Sequence, residues 1–275
     1  MSTLTVAKKD FRDAVRSKSL WLLTVLFVLF VPVVALYTVV SGSSVDDGIP
    51  TALVFSTGLV MVVLAPVTAL LVSIKSIVRE RTLGTITTLL SLPHTRGEVF
   101  FGKLLGRLAV FTAAVLVGYV PALVILSLGH SEFATFEFVV TVVAVLYFGF
   151  FFLLIGLCAS TLTRSESVAT AAGFAIYFLI YFWSTIFSLL NNWLGLVDGY
   201  AETFVSRFEL TIIGNDITTM LLWLRGRESD MASAAVSNGG DVPFYLQHWF
   251  AVVPLLVWIG VPLAIGYWQF NRIEL

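Results

Sequence analysis

Six stretches of about 20 or more mostly apolar residues divide this chain, at residues 20–40, 51–74, 104–128, 138–162, 168–190 and 248–270. A helix rises about 1.5 Å per residue, so roughly 20 apolar residues cross a hydrocarbon layer about 30 Å thick. Hydrophobic residues make up 58% of the chain and charged residues only 12%, where an ordinary soluble domain carries about 25% charged residues. With a mean hydropathy of +0.97, the apolar surface exceeds what one core can hide, and lipid must be the solvent for most of it. The fold class expected is an all-α integral membrane protein with about six transmembrane helices, organised as one transmembrane domain over residues 1–275. The first run is too long for a signal-peptide core and opens a multi-span chain, so no cleavage is expected.

Charge sets the orientation, because Lys and Arg accumulate in short cytoplasmic loops beside span ends. Alternating six spans puts Lys8, Lys9, Arg12, Arg16, Lys18, Lys75, Arg79, Arg81, Arg96, Lys103, Arg107, Arg164 and Arg272 on one side. That side holds 13 of the 16 basic residues and six of the 17 acids, a balance of +7; the other holds three and eleven, a balance of −8. Both termini are therefore expected in the cytoplasm. The fifth loop, residues 191–247, is long and extracytoplasmic on this reading. Its semi-apolar part, 208–227, is expected to lie as a helix on or near the membrane, since Glu209 and Asp216 make a seventh crossing costly. The small, polar residues 229–241 read as a connector.

Residues that carry chemistry are few. Cys158 is the single cysteine and sits in an apolar run, and His94, His130 and His248 are scattered with no i,i+4 pair. No metal site, copper included, and no catalytic site is expected. The span interiors hold almost no ionisable residues, which disfavours an ion-coupled carrier or an intramembrane enzyme. Pro32, Pro66, Pro121, Pro254 and Pro262 fall within spans, where proline is common. The net charge of −1 suggests no nucleic-acid partner. The run Gly97 to Lys103 satisfies G-x-x-x-x-G-K, but Leu104 follows where Mg²⁺ coordination needs Ser or Thr, and no strand precedes it. It is not a phosphate-binding loop.

Residues 1–19 form an amphipathic segment with Leu4, Ala7, Phe11, Ala14 and Val15 near one helical face and Lys8, Lys9, Arg12, Asp13 and Arg16 on the others. It is expected to lie flat at the inner surface, as an elbow bracing the base of the spans. Gly102 and Gly106 form a G-x-x-x-G at the mouth of the third span, and Gly149 and Gly156 mark one face of the fourth. Close helix packing is the plain reading of these four; a seam between two copies is the sharper one. The second cytoplasmic loop, KSIVRERTLGTITTLLSLPHTRGEVFFGKLLGR, exceeds what joining two spans requires. It has an apolar helical pattern broken at Pro93, and so reads as a docking element.

That loop resembles the signature of ABC-2 type permeases, E-R-x-x-G-T followed by L-L-S-x-P, a basic residue and G-K. Here it is carried by Glu80, Arg81, Gly84, Thr85, Leu89, Leu90, Ser91, Pro93, Arg96, Gly102 and Lys103. The opening VAKKDFRDAVRSKSLWLL is similar to that family's, and the six-span layout covers the whole chain. The resemblance implies the permease subunit of an ATP-binding-cassette exporter in the plasma membrane of a prokaryote. It also implies a coupling helix seated in a separate cytoplasmic ATPase subunit, which binds the ATP and Mg²⁺. Arg79, Glu80 and Arg81 would then orient the contact, Leu83, Ile86 and Leu89 would fill the groove, and Gly84 would permit close backbone approach. A second permease copy and membrane lipid are the other implied partners. The alternative is a structural or regulatory membrane protein that docks a different partner through the same loop. In a Cys158→Ala background, a membrane-impermeant maleimide applied to intact cells should label Asp47→Cys and not Lys9→Cys; the reverse pattern would overturn the orientation.

Overall fold

The computed structural model describes residues 3–16, 18–42, 45–46, 49–50, 56–84, 95–129, 133–195, 204–205, 207–209, 244, 250 and 252–272. Among these, seven long helices run in chain order: α1 (Thr3–Val15), α2 (Lys18–Ser41), α3 (Ser56–Thr82), α4 (Arg96–Gly129), α5 (Thr135–Leu162), α6 (Glu166–Leu194) and α7 (Val252–Asn271). All but α1 are long and apolar enough to cross a membrane, so the protein is an all-α membrane protein with six candidate spans. Strand pairing among the described residues is confined to a two-residue antiparallel ladder, Val45–Asp46 against Ile49–Pro50. Gly42 ends α2 and Gly195 ends α6, at φ of +61° and +56°. A residue without Cβ takes this left-handed conformation at little cost and so stops a helix.

Two spans reach further than the apolar runs suggest. The helix of α3 continues to Thr82 rather than 74, and α4 begins at Arg96 rather than 104. Charged residues end a hydrophobic run but not a helix. At the start of α4, Thr95 and Glu98 form a reciprocal capping box: the Thr95 N–H donates to Glu98 Oε2 (2.9 Å) and the Glu98 N–H to Thr95 Oγ1 (3.2 Å). At 34 residues, α4 is about 51 Å long and overshoots a bilayer. Gly97 to Lys103 lie inside this helix rather than in a loop.

The chain forms two compact units. The first comprises residues 1–174 and 262–275, the second residues 175–261. In the first unit α5 is the central helix, with 67% of its most apolar window buried. Helix α2 lies along α4 on a stripe of Phe27, Val31, Ala35 and Thr38, all buried, at the 3–4 residue spacing of one helical face. Glycines set the closest approaches. A Cβ at Gly118 of α4 would meet the Phe27 carbonyl oxygen at 2.9 Å, one at Gly129 would strike Val39, one at Gly149 of α5 the ring of Phe111, and one at Gly156 the hydroxyl of Ser73. In the second unit the rings of Phe204, Phe208, Phe244 and Phe250 pack together, and Trp258 Nε1 donates to the Phe208 carbonyl at 3.1 Å. The membrane-surface helix expected over 208–227 falls almost entirely outside the described residues.

Because the Phe111 ring is fully buried, Gly149→Val should lower stability by about 1–3 kcal/mol through overpacking. Gly260→Ala, with no described atom within 4 Å of the added Cβ, should not. Thermal unfolding of the detergent-purified protein compares the two, and equal midpoints would refute the packing account.

Candidate functional site at the charged end of the bundle

Small residues on α4 create the site. A Cβ at Gly102 would meet Val6 Cβ at 2.6 Å, and one at Gly106 would meet the Ala7 carbonyl oxygen and Asp10 Cβ, each at 2.9 Å. The G-x-x-x-G therefore seats α1 of the same chain, with backbones close enough for Asp10 to reach the next residues of α4, Lys103 and Arg107. The buried face of α1 is Val6, Ala7, Asp10 and Ala14, while Leu4 is 72% exposed. This corrects the apolar face read from the sequence, which included Leu4 and omitted Asp10. A carboxylate scores as surface in any hydrophobic pattern; here its partners, almost a hundred residues away, make its burial tolerable.

Asp10, Lys103, Arg107 and Glu80 form one cluster of two carboxylates and two cations. Arg107 Nη2 donates to Asp10 Oδ1 at 3.1 Å, and Nε lies 2.7 Å from Oδ2 as an ion contact without hydrogen-bond alignment. Lys103, only 2% exposed, donates to Glu80 Oε1 at 2.7 Å and to the Ser76 carbonyl at 3.1 Å, with Asp10 Oδ1 3.6 Å away. A buried ammonium needs such a set of acceptors, since its desolvation is otherwise uncompensated.

The end of α3 is itself interrupted. Ile74 separates a helical segment ending at Ser73 from one running Lys75–Thr82, and a π-helical turn occupies Val60–Leu64. Backbone groups near the break bond to side chains of other helices. The N–H groups of Ile77 and Val78 donate to Ser160 Oγ of α5 at 3.0 and 2.9 Å, and Arg107 Nη1 donates to the Val72 carbonyl at 3.1 Å. In an uninterrupted helix those two N–H groups would bond to the carbonyls of Ser73 and Ile74. The segment 75–82 is thus pinned by α4 and α5, with a surface pair from Lys75 to Glu166 at 3.5 Å beside it.

Of the residues expected to contact an ATPase, Arg79 and Leu83 are exposed and Arg81 partly so. Glu80 instead faces inward to Lys103. Gly84 sits at φ +71° with no described atom within 4 Å of where a Cβ would lie, and its N–H donates to the Arg81 carbonyl at 3.2 Å. It stops α3 as a left-handed cap. Arg96 lies elsewhere on this end: its Nη1 donates to the carbonyls of Phe270 (3.4 Å) and Asn271 (2.9 Å), capping the C-terminus of α7. Thr85, Ile86, Leu89, Leu90 and Pro93 lie outside the described residues. Asp10, Arg107, Ser76 and Ser160 were missed by sequence reasoning; the one available signal was G-K-x-x-G-R at 102–107, a repeat of small and basic residues at helical spacing.

Compared with known proteins, residues 4–275 match the family described as ABC-2 family transporter protein. A probable ABC transporter permease protein NosY from Pseudomonas aeruginosa is 28% identical over 281 residues, covering 98% of this chain and 97% of the relative. A protein of the same description from Stutzerimonas stutzeri is 28% identical over 278 residues, covering 97% of each.

Ser160→Ala removes the acceptor of two buried N–H groups. It should cost about 1–3 kcal/mol for each group left unsatisfied, whereas Ser127→Ala, at an exposed hydroxyl, should be neutral. Denaturation in detergent distinguishes them, and a silent Ser160→Ala would mean that the break at Ile74 closes without its pin.

Proposed function

The chain belongs to the ABC-2 transporter family, and from that premise we propose that it is the permease subunit of an ATP-driven exporter whose ATPase is a separate chain. The match over residues 4–275 carries the reading; the six candidate spans and the names of the two relatives agree with it. Two permease copies and two ATPase subunits make up the transporter, in the plasma membrane of a prokaryote, with ATP and Mg²⁺ held by the ATPases. The +7/−8 charge split puts both termini in the cytoplasm, and so the end of the bundle where α1, α3 and α4 meet faces the ATPase.

The docking face begins with Arg79, Arg81 and Leu83 and continues into residues 85–93. An exposed leucine beside basic side chains suits an interface with an apolar centre and a charged rim. ATP binding closes the ATPases and moves this segment, and the spans respond by changing between inward- and outward-facing arrangements.

The test is purification in mild detergent with the natural co-expressed partners. An ATPase should copurify with the wild-type chain, and the combination Arg79→Glu with Leu83→Glu should reduce its recovery by at least about tenfold, since reversing a rim charge and burying a new one each cost more than about 1.4 kcal/mol. Repeated failure of any ATPase to copurify with the wild-type chain would sink the exporter reading.

A further inference from the structure

The segment that would receive movement from an ATPase is Lys75–Thr82. It follows a helical Ile74 (φ −55°, ψ −40°) whose N–H still donates to the Leu70 carbonyl at 2.9 Å, but the N–H groups of Ile77 and Val78 just beyond it bond to Ser160 of α5. The backbone ladder of α3 is thus altered beside Ile74, and a π-helical turn at Val60–Leu64 alters it again. Push along a helix so altered is absorbed at those two places. Side chains of two other helices hold the segment: Ser160 of α5 accepts from the Ile77 and Val78 N–H groups, and Lys103 of α4 holds both the Glu80 carboxylate and the Ser76 carbonyl. From Lys103 the contact continues to Asp10 of α1, which Arg107, one turn further along α4, grips with two nitrogens. Beyond these residues α4 continues unbroken as one helix to Gly129.

We infer that Lys103 is a positioning residue that carries movement of the coupling segment into α4 and α1 rather than along α3, so that α1 and residues 75–82 travel as one body. The inference rests on the proposed function for the source of the movement. The geometry explains why a lysine is only 2% exposed here: its ammonium reaches both the receiving segment and the elbow helix. A charge-assisted bond at 2.7 Å, with its lysine buried, resists separation better than an apolar contact that slides. Gly106 is part of the device, because any side chain there would push Asp10 off α4.

The experiment is double electron–electron resonance on the permease–ATPase complex in nanodiscs. Spin labels replace Leu4 and Leu83, both strongly exposed, in a Cys158→Ala background. Distances are compared without nucleotide and after trapping with MgATP and vanadate, and a second pair, Leu83 with the exposed Leu59 of α3, reports whether the segment moves relative to its own span. In the wild-type background the Leu4–Leu83 distance should stay fixed while the Leu83–Leu59 distance changes. In Glu80→Gln, and separately in Asp10→Asn, the Leu4–Leu83 distance should change on trapping by about 2–5 Å, the range between an interface helix shift and a one-turn step. These variants keep Lys103 in place, so the test does not depend on a Lys103→Met chain folding. A Leu4–Leu83 distance that changes in the wild type, or stays fixed in both variants, overturns the inference, as does an immobile second pair. Loss of the ATPase from Glu80→Gln alone would assign Glu80 to docking and also overturn it, leaving the proposed function standing. Failure of the wild-type chain to hold an ATPase would remove both.

Discussion

Two cations on the first turns of α4 must be neutralised away from water, and the charged end of the bundle is arranged around that requirement. Lys103 and Arg107 lie one turn apart on a helix packed against its neighbours. Desolvating an unpaired ammonium or guanidinium costs several kcal/mol, so each is surrounded by acceptors: two carboxylates and the carbonyls of Val72 and Ser76. Those acceptors come from α1 and from the two segments of α3 on either side of Ile74. Satisfying the two cations therefore fixes where α1 lies against α4 and turns Glu80 of α3 toward Lys103.

The glycines are the geometric counterpart of that electrostatic demand. A carboxylate on a short side chain reaches a lysine on another helix only if the backbones approach closely, and Gly102 and Gly106 provide the approach. The same principle recurs through the first unit, at Gly118 and Gly129 against α2 and at Gly149 and Gly156 of α5 against α4 and α3. In lipid there is little hydrophobic drive between helices, so close van der Waals contact and interhelical polar bonds must hold the bundle. Ser160, receiving two backbone N–H groups across helices, is one such bond.

Much is legible in the residue order because it depends on local physics. Run length against bilayer thickness locates the six candidate spans. The role of small residues at 102, 106, 149 and 156 as points of close packing is readable too, though not which helix each meets. Helix ends are less legible: hydrophobicity stops at the lipid boundary, while the backbone bonds of α3 and the Thr95–Glu98 cap carry helix into the polar layer. Glu80 reads as an outward-facing charge until its neighbour Lys103 is known.

By itself, then, the sequence determined the solvent, the number of crossings and the side on which charge accumulates, since each follows from residues adjacent in the chain. Only tertiary structure decided that Asp10 is buried, that Glu80 turns inward to Lys103 and that Ser160 pins a broken helix. Those facts depend on partners from 23 to 97 residues apart. A buried charge is tolerable only when its counter-charge is present, and nothing local to either residue reveals that the other will be there.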